Sequence, residues 1–302
     1  MHTLLFILSI LAAAGQPEFP SIEPALARAY AGSYQLSRDR IIDIGPMDEV
    51  GGDLIFLDHA TLRTGRLRVM SENELIAGPT LGSDSPISIK ARFLRDRKGE
   101  VAALYWNGER ARKIAPRTDE LVRIRRDGIV LEGVLNRPAG RGPHPAIVLA
   151  HGSGDSTRNV GFWNMFFVRQ GFAVLSLDKR GAGSSTGDWK KASLEDIADD
   201  WLAGVNYLKG RPDIDVRRIG VHGSSQGGWT GPLMAAKSRD IAFLIVRAGS
   251  GMNLVDTMVH EIEWTVKEKG FSNAEASAGA RAAREAFELT ARGASWDEFE
   301  SG

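Results

Sequence analysis

The five residues Gly223-Ser224-Ser225-Gln226-Gly227 have types and spacing that suit nucleophilic catalysis. They match G-x-S-x-G with Ser225 at the centre, after an apolar run and before a helical pattern. On such a tight strand-to-helix turn the serine hydroxyl projects from the sheet, and glycines on either side remove side chains that would collide. The following helix directs its first N–H groups at this point, so the Gln226 amide can stabilise a developing oxyanion. The pattern predicts that Ser225 is a catalytic nucleophile.

A second amide for the oxyanion is expected from the loop after an earlier apolar run, Leu149-Ala150-His151-Gly152-Ser153-Gly154. We assign this donor to the amide of Ser153, with Gly154 as the alternate. Both segments could instead be ordinary strand-to-helix turns, because G-x-S-x-G also occurs by chance. Two compatible loops in the expected chain order favour a hydrolase.

Other polar residues near these two segments are predicted to have structural roles. Ser224 is the rival nucleophile, but it lacks the symmetric glycines. His222 lies too close in sequence to Ser225 to act easily as its base, and His151 is expected to order its loop. Asp178 and Arg180 are expected to tie loops together through hydrogen bonds.

Short apolar runs alternate with helical patterns between residues 119 and 252, which predicts an α/β fold with a mostly parallel sheet flanked by helices. A hairpin is predicted at Asp127-Gly128. The later strands are expected at residues 146–150, 172–177, 218–222 and 241–246, and the helices at 160–170, 193–208 and 226–237. Ser193 with Asp196, and Ser272 with Glu275, have the spacing of capping boxes at helix starts.

Residues 22–116 are predicted to form a small antiparallel β domain that begins with a short helix at 23–30. Apolar residues alternate with polar ones over 87–93, which is the period of a half-buried strand, and 101–106 reads as another strand. The neighbours Asp58 and His59 are interpreted as a surface pair.

The bulk composition is ordinary for a soluble globular protein, and the balance of charges disfavours binding to polyanions other than through a local basic patch. The 302 residues include 38 Lys plus Arg and 38 Asp plus Glu, so no overall charge attracts nucleic acid or an anionic membrane. The chain has no cysteine and therefore no disulfide. Residues 1–15 read as a secretory signal peptide, with a buried N-terminal helix as the alternative. We expect a periplasmic or secreted protein with no membrane span after cleavage.

With these motifs the chain resembles the α/β-hydrolases, and more narrowly the EstD-like bacterial esterases and the serine aminopeptidase-like hydrolases. The resemblance covers residues 121–252 and rests on IVLAHGSGDSTRN, LSLDKRGAGSSTGDW and IGVHGSSQGGW. It implies hydrolysis of a small-molecule carboxylic ester through an acyl-enzyme on Ser225, with no cofactor and no metal. It leaves acyl and alcohol specificity and the oligomeric state open.

The resemblance also implies an acid and a histidine that follow later strands. After Ser225 the only histidine is His260, in a predicted helix. We interpret 253–302 as a partial helical lid, and expect a C-terminally truncated chain of weak or no activity whose base and acid lie beyond Gly302. The alternatives are that His260 is the base, that the protein is a peptidase of the same fold, or that it is a degenerate binding protein.

Overall fold

The computed structural model describes residues 19–115 and 117–301, so the predicted signal peptide at residues 1–15 lies outside the described residues. One compact unit ends at Val246, and a second begins at Arg247. The first unit contains a β-barrel and an α/β portion, and the second unit is helical.

The barrel is closed and consists of eight antiparallel strands in sequential order. Closure occurs where the first strand pairs with the eighth, with Ser33 opposite Ile114. The sequence predicted an antiparallel β domain but not its closure. The strands are β1 (Gly32–Gln35), β2 (Ile41–Pro46), β3 (Leu54–Asp58), β4 (Arg63–Val69), β5 (Glu74–Ala77), β6 (Ile89–Arg95), β7 (Val101–Trp106) and β8 (Glu109–Ile114).

The barrel core is built from the inward residues of these alternating strands. Along β6, buried and exposed residues alternate from Ile89 to Phe93, as the period-2 pattern predicted. The short helix α1 (Pro24–Tyr30) packs against the same core, where the Tyr30 ring stacks on Phe93 with 4.0 Å between centroids. The interior of the barrel is therefore filled by side chains.

The α/β portion contains a mixed six-stranded sheet in the order β14-β13-β11-β12-β10-β9. Strand β11 pairs in parallel with β12 and β13, whereas β10 is antiparallel to both β9 and β12. The prediction of a mostly parallel sheet is therefore not confirmed. The strands are β9 (Arg117–Arg126), β10 (Ile129–Pro138), β11 (His144–Ala150), β12 (Ala173–Leu177), β13 (Ile214–Ser224) and β14 (Phe243–Arg247).

The antiparallel character begins at the predicted hairpin between β9 and β10. Asp127 and Gly128 have φ values of 44° and 80°, the two consecutive left-handed residues that a two-residue hairpin turn requires. The hairpin itself is confirmed. Because β10 also pairs antiparallel with β12, it runs against its neighbour on that side too. The strand–helix alternation alone does not predict this direction.

Helices cover both faces of this sheet. Alternate residues of β11 enter different clusters: Val148 packs with Trp201 and Met234, whereas Ile147 packs with Phe167. The helices are α2 (Trp163–Arg169), α3 (Leu194–Lys209) and α4 (Gly227–Lys237). These confirm the three predicted helices, although α2 is shorter than expected. The predicted capping box of α3 is present, since Ser193 and Asp196 each accept a hydrogen bond from the other's amide.

Within the first unit, a buried ion pair joins the barrel to the α/β portion. Asp43 on β2 is fully buried and accepts hydrogen bonds from the Arg169 guanidinium at 2.9 and 3.1 Å. His59 Nε2 lies 2.6 Å from the same carboxylate. The interpretation of Asp58 and His59 as a surface pair is wrong, because Asp58 is also buried and pairs instead with Arg40.

We expect Asp43→Ala to lower the free energy of unfolding by about 3 to 5 kcal/mol, because it leaves the Arg169 cation without its buried counter-charge. Burial opposes ionisation of Asp43, but the hydrogen bonds from His59 and Arg169 outweigh it and hold its pKa below the usual range. The carboxylate therefore stabilises the fold at neutral pH, and this contribution is lost as the pH falls through the lowered pKa.

Urea unfolding at pH 7 and at about pH 2, which lies below the ordinary pKa of an aspartate, measures this effect, and the difference in the free energy of unfolding between native and variant protein should narrow in acid. Glu109→Ala is the matched control, since this carboxylate is 63% exposed in its pair with Arg40 and its loss should cost less than about 0.5 kcal/mol. Equal destabilisation by the two substitutions would contradict the assignment.

The second unit consists of helices α5 (Leu254–Glu268), α6 (Asn273–Ala291) and α7 (Trp296–Ser301). The predicted capping box of Ser272 and Glu275 begins α6, and an ion pair between Arg284 and Asp256 joins α6 to α5. Among the described residues, no helix has the length and apolarity needed to cross a bilayer. The role of this unit as a lid stays a prediction.

Candidate active site

The turn between β13 and α4, residues 223–227, is here called the serine turn, and its backbone is strained at its centre. Ser225 has a φ of 53°, which is left-handed and uncommon for a residue other than glycine. A Cβ atom on Gly223 would lie 2.1 Å from the carbonyl oxygen of Gly227, and a Cβ on Gly227 would lie 2.2 Å from that of Ala150. The two glycines are therefore required by close backbone contacts, as the motif predicted.

The two serines of this turn have different surroundings. Ser225 is half-buried, and its hydroxyl forms no hydrogen bond with any of the residues that the structure describes. Ser224 is 5% exposed and ends strand β13. Of the two, Ser225 has the hydroxyl that a ligand can approach more easily.

The predicted oxyanion donors lie on the serine turn and on residues 151–156, here called the glycine loop. The amides of Gln226, Ser153 and Gly154 donate no hydrogen bond to any other described residue. Ser153 is exposed, and Gly154 has a φ of 86° that suits glycine. All three amides are thus available to a ligand.

Lys179 connects the glycine loop to the serine turn. Its ammonium group donates to the carbonyl oxygens of Gly152 and Gly154, the latter at 3.0 Å, and to Gln226 Oε1 at 3.1 Å. The side chain is almost completely buried, and burial lowers its pKa to about 8 against an opposing effect of Asp155. Lys179 carries no local sequence signal for this role, because its partners lie on two segments distant in the chain.

His151 has the structural role predicted for it. Its ring is buried, packs edge-on against Trp201 and donates from Nε2 to the carbonyl oxygen of Leu177 at 2.5 Å. Burial lowers the pKa of His151, so the ring is neutral at physiological pH. The ring anchors the glycine loop to β12 and does not serve as a base.

Asp178 and Arg180 also stabilise loops, as predicted. Asp178 accepts from the guanidinium and the amide of Arg158 and from the amide of Ser184. Burial works against its ionisation, but these hydrogen bonds leave the pKa of Asp178 below its usual value. Arg180 forms two hydrogen bonds with the buried carboxylate of Asp200, at 2.6 and 2.8 Å.

No base is placed beside the serine hydroxyl among the described residues of the first unit. His222 is buried on β13, with its ring centroid 4.8 Å from that of Trp163. His260 lies exposed on α5 in the second unit, in a helix as predicted.

Within residues 19–115 and 117–301, no cluster of three or more candidate ligands could hold a metal ion.

The barrel contributes residues to the surroundings of the glycine loop. Asp48 accepts a hydrogen bond from the Thr157 amide, and its own amide donates to the carbonyl oxygen of Asn159 at 3.0 Å. The Gly161 amide donates to the carbonyl oxygen of Pro46 at 2.7 Å. These contacts join residues 157–161, which follow the glycine loop, to the end of β2 and the segment after it, and no local sequence signal links that segment to the site.

A mixed sheet covered by helices, with a strained serine between β13 and α4, defines the class of this protein, the α/β-hydrolase superfamily. More narrowly, the chain belongs to the X-Pro dipeptidyl-peptidase family (S15 family), which matches residues 127–296, more than half of its length.

Individual relatives include esterases and a peptidase. The chain is 30% identical to the esterase EstD of Thermotoga maritima over 165 residues, which are 50% of this chain and 39% of that protein. It is 27% identical to the uncharacterised peptidase YuxL of Bacillus subtilis, covering 52% of this chain and 27% of that protein. A solved Pyrococcus furiosus esterase has a TM-score of 0.42 and 23% identity, covering 53% of this chain and 60% of that one. The chain therefore spans less than half the length of these two curated relatives.

Proposed function

We propose that the natural protein is a serine hydrolase that cleaves carboxylic esters through an acyl-enzyme on Ser225. The hydroxyl attacks the ester carbonyl carbon, and the carbonyl oxygen becomes an oxyanion held by the amides of Gln226 and Ser153, with Gly154 as the alternate. The alcohol leaves, and water then releases the carboxylic acid. The proposal needs no cofactor.

The observation that carries the proposal is the left-handed backbone of Ser225 between two glycines in close backbone contact. A strained residue of this kind costs free energy and persists where the surrounding structure imposes it, which is common at active sites. The similarity to EstD supports an ester as substrate.

Activation of Ser225 requires a general base, because a free serine hydroxyl is a weak nucleophile at neutral pH. We assign this role to a histidine outside the described part of the first unit. A secreted or periplasmic location, expected from residues 1–15, belongs to the same proposal.

The second candidate is a peptidase, favoured by membership of a family described as X-Pro dipeptidyl-peptidases and by the similarity to YuxL. Ester and amide hydrolysis use the same serine turn, so this geometry fits both. A dipeptidyl-peptidase needs in addition a group that binds the charged amino terminus of its substrate.

Parallel assays of the natural protein separate the two candidates. We expect turnover of p-nitrophenyl acetate and butyrate, and turnover of an X-Pro-p-nitroanilide that is at least about 100-fold lower in kcat/KM, a difference of about 2.7 kcal/mol in transition-state binding. A preference for the anilide of that size would replace the ester proposal with the peptidase. Labelling of Ser225 by a fluorophosphonate, read by peptide mass, tests the nucleophile in both cases.

A further inference from the structure

We propose that Lys179 is a positioning residue for the oxyanion hole, whose buried ammonium group orients the Ser153 amide and fixes the residue that follows Ser225. This inference rests on the proposed function of the site. It assigns a role to a lysine that takes no part in the nucleophilic step itself.

The orientation follows from the geometry of one peptide group. The carbonyl of Gly152 and the amide of Ser153 belong to the same planar trans peptide, in which C=O and N–H point in opposite directions. The Lys179 ammonium group accepts no hydrogen bond and donates one to the Gly152 oxygen from the protein interior. The Ser153 N–H is therefore turned away from Lys179 and out of the interior.

The same ammonium group also holds Gln226, whose backbone amide is the other oxyanion donor. An ammonium group has three N–H donors, and among the described residues those of Lys179 have three acceptors: the carbonyl oxygens of Gly152 and Gly154, and Gln226 Oε1. The glycine loop and the serine turn are thus tied to one point. Two amides on different segments need such a tie, because an oxyanion donor acts only when it is held in place before the reaction.

The positive charge of the buried Lys179 ammonium group also stabilises the developing oxyanion. Among the described residues, no carboxylate lies within ion-pair distance of the Lys179 ammonium group. Burial of a cation without a direct counter-charge costs free energy. Negative charge that develops on the substrate oxygen supplies the missing partner, so the cation stabilises the transition state more than the free enzyme.

Near Lys179, the group that loses its proton at moderately alkaline pH is the Lys179 ammonium group itself. Asp155 on the glycine loop opposes the lowering of the Lys179 pKa, and burial lowers the pKa of His151 so that its ring is neutral. Asp178 is held as a carboxylate by Arg158. The protonated ammonium form is the active one, so activity is present below the lowered pKa and is lost as the pH rises through about 8.

The test compares the natural protein with Lys179→Met in turnover of p-nitrophenyl acetate between pH 6.5 and 10. We expect kcat to fall about 100-fold with KM changed less than about 3-fold, as for loss of a donor to the oxyanion. The native kcat should decline above pH 8, and this decline should be absent from the variant. Lys113→Met is the matched control, because Lys113 is a half-buried barrel lysine that donates to the carbonyl oxygen of Ala29 at 2.9 Å.

A folded Lys179→Met variant with kcat within 2-fold of the native protein would overturn the proposal. Should the variant not fold, the native profile decides, and a kcat that stays level from pH 8 to 10 in folded protein overturns it. Loss of turnover in Lys179→Met but not in Lys113→Met supports it.

Failure of the proposed function gives a different result, namely ester turnover that is absent or that survives Ser225→Ala. The Lys179 proposal is then decided by amide hydrogen exchange of residues 151–156. Faster exchange in Lys179→Met than in Lys113→Met supports the positioning role, and equal exchange in the two variants contradicts it.

Discussion

Ser225→Ala in the natural protein is expected to lower kcat for p-nitrophenyl acetate by about a million-fold, to the level left by binding and the oxyanion hole. The substitution removes the only atom that forms the acyl-enzyme bond. It leaves the backbone nearly unchanged, because alanine adopts the left-handed conformation at a cost similar to that of serine. The melting temperature should therefore stay within about 2 °C of the native value.

Ser224→Ala provides the matched control for this experiment. Ser224 is adjacent, has the same side chain and is buried at the end of β13. We expect its kcat to stay within about 10-fold of native, with a loss of stability of about 1 kcal/mol from the missing buried hydroxyl. Turnover that survives Ser225→Ala but is lost in Ser224→Ala would show that the motif was assigned to the wrong serine.

A third variant, Ser225→Gly, tests whether the turn is strained as its backbone indicates. Glycine adopts a φ of 53° without the steric cost that serine bears. Relief of about 1 kcal/mol in the folded state is opposed by the greater freedom of glycine in the unfolded chain. We expect Ser225→Gly to be inactive and no less stable than Ser225→Ala, as measured by urea unfolding.

Local signals in the sequence predicted most of the α/β portion. The spacing of Gly223 and Gly227 indicated the serine turn, the pair Asp127-Gly128 indicated a hairpin, and Ser193 with Asp196 indicated the start of α3. Each of these features depends on residues within a few positions of one another. A short-range pattern is sufficient for them, because the backbone conformation required is itself local.

Non-local pairing accounts for what the sequence did not predict. Closure of the barrel joins Ser33 to Ile114, and the mixed sheet depends on β10 lying antiparallel to β12, with Gly133 opposite Leu177. The link made by Lys179 also joins segments far apart in the chain. No periodicity within a strand specifies which distant strand it pairs with, so these features follow only from the assembled fold.

Gly227→Ala should destabilise the fold more than either serine substitution in the same turn does. By helix propensity alone, alanine at the first residue of α4 would stabilise the protein by up to about 1 kcal/mol. The new Cβ would, however, lie 2.2 Å from the Ala150 carbonyl oxygen and 3.1 Å from that of His151. Backbone oxygens cannot rotate away, so the serine turn and the glycine loop must separate. We expect a destabilisation of about 3 kcal/mol, with the opposite sign to the propensity effect.

The same displacement should lower kcat by about 100-fold, because a shift of about 1 Å between the Ser225 hydroxyl and the amides that hold the oxyanion costs that much. Urea unfolding and ester turnover measure the two effects in one preparation. Gly82→Ala is the control, since its Cβ would meet no atom within 4 Å and neither stability nor kcat should change measurably. If Gly227→Ala were as stable and as active as Gly82→Ala, the two turns could not be in the close contact on which the oxyanion hole depends.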